Sequence, residues 1–153
     1  MRDSGFNVKE DKAMIQLIVA EKGQGKTKFL LEKVSEAEKQ AKGNVVFIDN
    51  DLSHMYEIKN TVRFVNVSDY NIGNTEEFYG FISGIMSADH DLEQLFVDKL
   101  LIINSLNSPK DAVELIRKLE AISTKCEVVL TLSFTGKKED LPDDLKEKVI
   151  DFN

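Results

Sequence analysis

The chain has 153 residues, 42% of them hydrophobic and 31% charged, with a formal net charge of −7. That length suits one domain with a real core, and the acidic balance argues against a broad nucleic-acid surface, which needs clustered Lys and Arg. No apolar run approaches the ~20 residues of a membrane span, and the single thiol, Cys126, excludes an intramolecular disulfide and fits the reducing cytoplasm.

Residues 1–13 mix charged and polar side chains without a clean period and read as an irregular extension. Met14 directly precedes the first apolar run, so it is expected to mark an ancestral start, with a single domain over 14–153. The run Ile15 to Val19 reads as a buried strand. It stops at Ala20-Glu21-Lys22-Gly23-Gln24-Gly25-Lys26-Thr27-Lys28, and a helical pattern follows. A strand, a glycine-rich turn, Lys-Thr and a helix make a phosphate cradle. Glycine tolerates the dihedrals that aim several backbone N–H groups at one anion. The helix N-terminus adds its dipole. Lys26 adds a point charge for the β- and γ-phosphates, and the Thr27 hydroxyl can ligate Mg²⁺. Ala20 stands where the pattern usually has its first glycine.

The first helix is expected from about Lys26 to Lys42, with Leu30, Val34, Ala37 and Ala41 inward and Gly43 as its stop. Val45 to Asp49 is a continuous apolar strand of the kind buried on both faces. Thr61 to Val67 alternates as a further strand. Asn74 or Thr75 caps a second helix, with Glu77 behind it. Phe78, Phe81, Ile82, Ile85 and Met86 form its apolar stripe, read as core rather than as a base-stacking platform. Leu92 to Asp98 is a strand ending in an aspartate. Ser108-Pro109-Lys110-Asp111 opens a third helix, with Ala112, Leu115, Ile116, Leu119 and Ile122 inward. Cys126 precedes the strand Glu127 to Phe134 and reads as packed. A charged loop, Gly136 to Asp140, leads to a short helix, Pro142 to Lys148, and a candidate last strand, Val149 to Phe152.

Strands alternating with helices predict an α/β fold with a mainly parallel sheet. Ligands of such sheets sit beyond the strand carboxyl ends. That edge gathers the glycine loop, Asp49 to Asp51, Asp98 and the Thr131/Ser133 region. Asp98 fits a Mg²⁺ ligand, direct or through water, because a hard cation takes oxygen donors. His54 and His90 have no second His or Cys at metal-binding spacing and read as solvated loop residues.

The run Ala20–Thr27 and the Walker-B-like Leu95–Asp98 are the motifs by which the chain is identified as a member of the P-loop NTPase superfamily. The order of elements resembles the additional-strand, RecA-like branch, and the compact form is similar to small ATP-binding proteins of bacteria. The resemblance implies a three-layer sandwich of the P-loop NTPase fold, binding ATP and Mg²⁺ through Ala20 to Lys28, Thr27 and Asp98. Many relatives carry a glutamate directly after the strand aspartate; here Lys99 stands there. In RecA-like ATPases a catalytic glutamate sits two residues beyond an aspartate like Asp49, which matches Asp51. Asp51 is therefore either a water-orienting group or a plain acidic loop residue. Thr131 and Ser133 stand either as γ-phosphate sensors or as ordinary strand residues. No Asn-Lys-x-Asp guanine-reading motif is present, which favours adenine.

The expected function is Mg²⁺–ATP binding with slow or partner-stimulated hydrolysis, Lys26 and Asp51 being the catalytic candidates. Arg63 or Arg117 of a neighbouring copy, or a partner's arginine, would then supply the missing positive charge. The alternatives are a nucleotide-dependent switch with negligible turnover, and a phosphotransferase acting on a small nucleoside-like acceptor.

Overall fold

The apolar run after Met14 becomes β1, Ile15–Ala20, with Ile15, Leu17 and Ile18 fully buried. A computed structural model describes residues 14–152 of the chain. The expected extension over 1–13, and with it the reading of Met14 as an ancestral start, lies outside the described residues. After β1 come α1 (Lys26–Gln40), β2 (Asn44–Asp49), β3 (Arg63–Asn66), α2 (Thr75–Ala88) and β4 (Leu92–Val97). Then follow α3 (Leu100–Ile103), α4 (Val113–Cys126), β5 (Val129–Thr135) and α5 (Asp143–Lys146).

The strands form one sheet in the order β1-β5-β4-β2-β3, and every pair is parallel. Side chains alternate between its faces. Leu17, Val46, Ile48, Leu95, Val97, Leu130 and Leu132 enter one core cluster with Phe78 and Ile82 of α2 and Leu115 and Ile116 of α4. Ile18, Val45, Phe47 and Phe96 enter a second cluster with Leu30, Val34 and Ala37 of α1. Helices thus cover both faces of a five-stranded all-parallel α/β sheet, an arrangement consistent with a three-layer sandwich. Alternation along β5 turns Thr131 and Ser133 toward the α1 face.

Several boundaries differ from expectation for local reasons. Helix α1 ends at Gln40, because Ala41 is extended (φ −70°, ψ 139°). Gly43 is not a left-handed stop; it lies so close to the turn before β4 that a Cβ there would sit 2.0 Å from the Asp91 carbonyl oxygen. Glu93 holds this turn by accepting from the Lys42 and Gly43 amides at 3.2 and 2.7 Å. At α2, Asn74 Oδ1 accepts from Glu77 N (2.8 Å), while Glu77 Oε1 accepts from Gly73 N (2.6 Å), one residue ahead of the cap. In the α2 stripe Phe78, Ile82 and Met86 are buried, whereas Phe81 and Ile85 are half-buried, Phe81 against Tyr70.

A single 3₁₀ turn, Pro109–Ala112, precedes α4. Cys126 closes that helix, half-buried, instead of abutting a strand. Glu127 adopts left-handed geometry (φ 57°), which delays β5 to Val129. The candidate last strand contracts to one parallel bridge, Leu17 with Val149, and Phe152 stacks on Phe29 of α1 at 4.9 Å. Among the described residues no helix is long and apolar enough to cross a membrane.

Candidate functional site

The loop between β1 and α1 is built on two left-handed glycines, Gly23 (φ 85°) and Gly25 (φ 86°). No atom lies within 4 Å of a Cβ added at either, so what they supply is the dihedral rather than space. Gly25 is the N-cap of α1, and the first bond at this end is Phe29 N to Gly25 O, 3.1 Å. The amides of Lys26, Thr27 and Lys28 therefore precede the helical ladder and point out of its end. The first turn of α1 carries no acidic side chain of its own, so the positive end of the dipole faces only the Asp98 carboxylate beside Thr27. Lys26 Nζ donates to Glu21 O at 3.1 Å, folding back over the loop. Burial pulls the Lys26 amine below its ordinary value, against the opposing pull of Asp98.

Across the sheet edge, register does the assembling. Ile48 pairs with Val97, and Val97 with Leu132. The next residue of each strand is Asp49, Asp98 or Ser133, so these three lie side by side on the α1 face. Asp49 and Asp98 are 0% and 2% exposed. Thr27 Oγ1 donates to Asp98 Oδ2 at 3.0 Å, closing the loop onto the sheet. Lys99 N donates to the other oxygen, Asp98 Oδ1, at 3.0 Å.

Lys99 is itself left-handed (φ 58°, ψ 46°) and caps α3. Its Nζ lies 2.8 Å from Asp49 Oδ1, and 3.9 Å from both Asp51 Oδ2 and Asp98 Oδ2. Asp49 Oδ1 also accepts from the Asn50 amide at 2.7 Å, while Oδ2 has no hydrogen-bond partner among the described residues. Burial raises the Asp49 carboxyl, and Lys99 and the Asn50 amide counter only part of that. Burial lowers the Lys99 amine, but its bond to Asp49 and the charges of Asp49, Asp98 and Asp51 outweigh this, so the net shift is upward.

The glycine loop, Asp98 and Lys99 border a cleft of about 470 Å³, whereas Asp49 lies behind Lys99 outside its lining. Lys22, Gly23, Gly25, Lys26, Thr27, Lys28, Asp98 and Lys99 form its polar side; Leu101, Ile102 and Phe134 form an apolar wall. Ser133 also borders it, and its buried hydroxyl has no partner among the described residues.

The other candidates fall elsewhere. Ala20 ends β1, and its carbonyl accepts from Gly136 N at 3.0 Å. Glu21 and Gln24 sit on the exposed outer side of the loop, where Gln24 N bonds Glu21 O. Asp51 is exposed outside the cleft lining, with Oδ1 accepting from both the amide and the hydroxyl of Ser53. Those bonds hold its carboxyl below the usual range. Thr131 bonds Gln16 at 3.2 Å behind the edge, so of the two candidate sensors only Ser133 reaches the cleft. His54 bonds Glu57, and His90 is exposed. Arg63 pairs in register with Val46, three residues short of the strand end at Asp49. Arg117 bonds Asp144 at 3.0 Å in the opposite helical layer.

Sequence reasoning missed α3 and the part Lys99 plays. The signal for α3 was the unbroken apolar run Leu100–Ile103 immediately after the strand. Nothing local signalled that Lys99 returns to Asp49.

Among the described residues no group of three or more His, Cys, Asp or Glu side chains is placed to hold a metal ion. Thr27 and Asp98 offer two adjoining oxygens, which suits Mg²⁺, an ion that completes its shell with water and phosphate rather than an all-protein cage. No protein-family model matches the chain, and no curated protein matches it.

Proposed function

We propose that this chain is a Mg²⁺–ATP-binding protein of the P-loop type with slow or partner-stimulated hydrolysis. The observation that carries the reading is the 3.0 Å bond from Thr27 Oγ1 to Asp98 Oδ2, at the foot of a left-handed glycine loop and a helix N-terminus. Sheet order supports it too: β5 lies directly beside β1, the strand that feeds the glycine loop, and so brings Ser133 to the cleft. The loop amides and Lys26 would bind and orient the phosphates. Thr27 and Asp98 would hold Mg²⁺, which supplies neutralisation of the phosphoryl oxygens. Adenine is preferred because the chain lacks the guanine-reading motif.

Slow turnover follows from three placements. Asp51 is engaged by Ser53, a lysine follows Asp98, and neither Arg63 nor Arg117 borders the cleft. The same placements favour the second reading, a nucleotide-dependent switch with negligible turnover.

Calorimetric titration with ATP and GTP, with and without Mg²⁺, tests the binding. Wild type is expected to bind Mg²⁺–ATP, and Lys26→Ala to weaken it by about 10-fold or more, the worth of a hydrogen bond to a charged group. Thr27→Ala should lose the gain that Mg²⁺ gives. Wild type that binds no nucleotide, or an equal affinity in Lys26→Ala, overturns the assignment; binding of GTP alone overturns the adenine preference. Phosphate release then separates the readings. Slow release supports the ATPase, binding without release the switch, and release only on adding a nucleoside the phosphotransferase.

A further inference from the structure

The site contains a cation that the Lys-Thr loop does not account for. Lys99 borders the same cleft as Lys26 and Thr27, and its amine is 3.9 Å from Asp98 Oδ2, the oxygen that takes the Thr27 hydroxyl. Its left-handed backbone is uncommon for a residue with a side chain and costs about 1–2 kcal/mol. That conformation sends the chain into α3 while the amine stays over the sheet edge. Three carboxylates, Asp49, Asp51 and Asp98, surround this one amine. An ammonium has three donors. Only the contact to Asp49, 2.8 Å, is a hydrogen bond; the other two carboxylates stand at 3.9 Å. Two donors thus remain for a ligand without breaking the buried pair, whose rupture would leave Asp49 charged and unpaired. The buried Ser133 hydroxyl borders the same cleft without a partner among the described residues, and is a second polar group there available to a ligand.

We propose that Lys99 is a second phosphate-facing cation of the site, positioned by Asp49 and contacting the terminal phosphoryl group of a bound nucleoside triphosphate. It adds a contact to the bound phosphoryl group, while its charge stays shared with Asp49, Asp51 and Asp98 and so does not replace an arginine. This rests on the nucleotide-binding reading above. Lys99 thereby distinguishes a triphosphate from a diphosphate, and Asp49 is a positioning residue that fixes where the amine stands.

The test is the ratio of ATP to ADP affinity, measured by calorimetry with Mg²⁺ for wild type, Lys99→Met, Lys99→Arg and the double variant Lys99→Met/Asp49→Asn. The double variant removes both charges together, so it keeps the test open if Lys99→Met fails to fold. The expected result is a loss of ATP affinity of about 10- to 100-fold in Lys99→Met and in the double variant, as for one hydrogen bond to a charged group. ADP affinity should change less than about twofold, and Lys99→Arg should keep part of the ATP preference. A purely structural ion pair would lower the melting temperature and leave the ATP/ADP ratio unchanged. An unchanged ratio in whichever of the two charge-removing variants folds overturns the role of Lys99 while leaving nucleotide binding intact. Wild type that binds neither nucleotide overturns both.

Discussion

A methyl group at position 43 has nowhere to go, because the Asp91 carbonyl oxygen stands 2.0 Å from where its carbon would sit. That oxygen is held by Asn44 N at 2.7 Å, so relief requires moving backbone on both sides. Gly43→Ala should therefore destabilise the fold by about 1–3 kcal/mol, the usual cost of overpacking, read as a lower urea midpoint. Gly25→Ala differs: the space is open but φ is 86°, so strain of about 1–2 kcal/mol is expected. If the loop binds phosphate, that variant should lose more in nucleotide titration than in unfolding; a change in stability only would separate the loop geometry from binding. Gly23 and Gly25 were legible in the sequence because the demand on them is local, a turn feeding a helix. Gly43 was misread as a helix stop, since its demand comes from Asp91, in the turn before β4 and far along the chain. Lys99 was legible only as a missing acid, because its partner Asp49 is 50 residues away.

Among the elements, α2 has the most room for improvement. Gly80 and Gly84 lie inside it with nothing within 4 Å of an added Cβ. Gly80→Ala and Gly84→Ala should each raise stability by up to about 1 kcal/mol through helix propensity. Asn74→Ala should cost about 1 kcal/mol, since Asn74 Oδ1 caps the Glu77 amide. Thermal unfolding of the three variants checks both signs. This helix was readable because its cap, its first-turn acids and its apolar stripe agree with one another. Helix α3 was not: four residues make a single turn, too short to show a period. The segment after α5 failed for another reason. Its apolar residues are real, but Phe152 spends its ring on Phe29 of α1 rather than on strand pairing, leaving one bridge at Val149.

For the whole molecule, strand and helix alternation announced a parallel sheet but carried no information on strand order. That β5 inserts between β1 and β4 is decided by non-local packing. The polar pair Thr131 and Ser133 faces α1 while Leu130 and Leu132 face the other layer, so this strand feeds both the core and the site. The row of Asp49, Asp98 and Ser133 has a kinetic meaning. Thr27 and Asp98 are 71 residues apart, and Asp49 and Lys99 are 50 apart. The first bond cannot form until β1 and β4 reach the same edge, nor the second until β2 and β4 do, and closing such loops is slow. A ligand lying across that row recognises the finished sheet and no fragment of it. If nucleotide binds there, saturating it should protect the entire sheet against unfolding, by about 2.7 kcal/mol at a hundred times its dissociation constant. Hydrogen exchange should slow at Val45 and Val46, well away from the phosphates, as much as at the glycine loop; protection confined to the loop would mean that the site closes without the sheet. If nucleotide binds there, occupancy becomes a reporter of global folding, and any fluctuation that peels β5 from β4 also opens the door for the ligand to leave, since both strands end at the cleft.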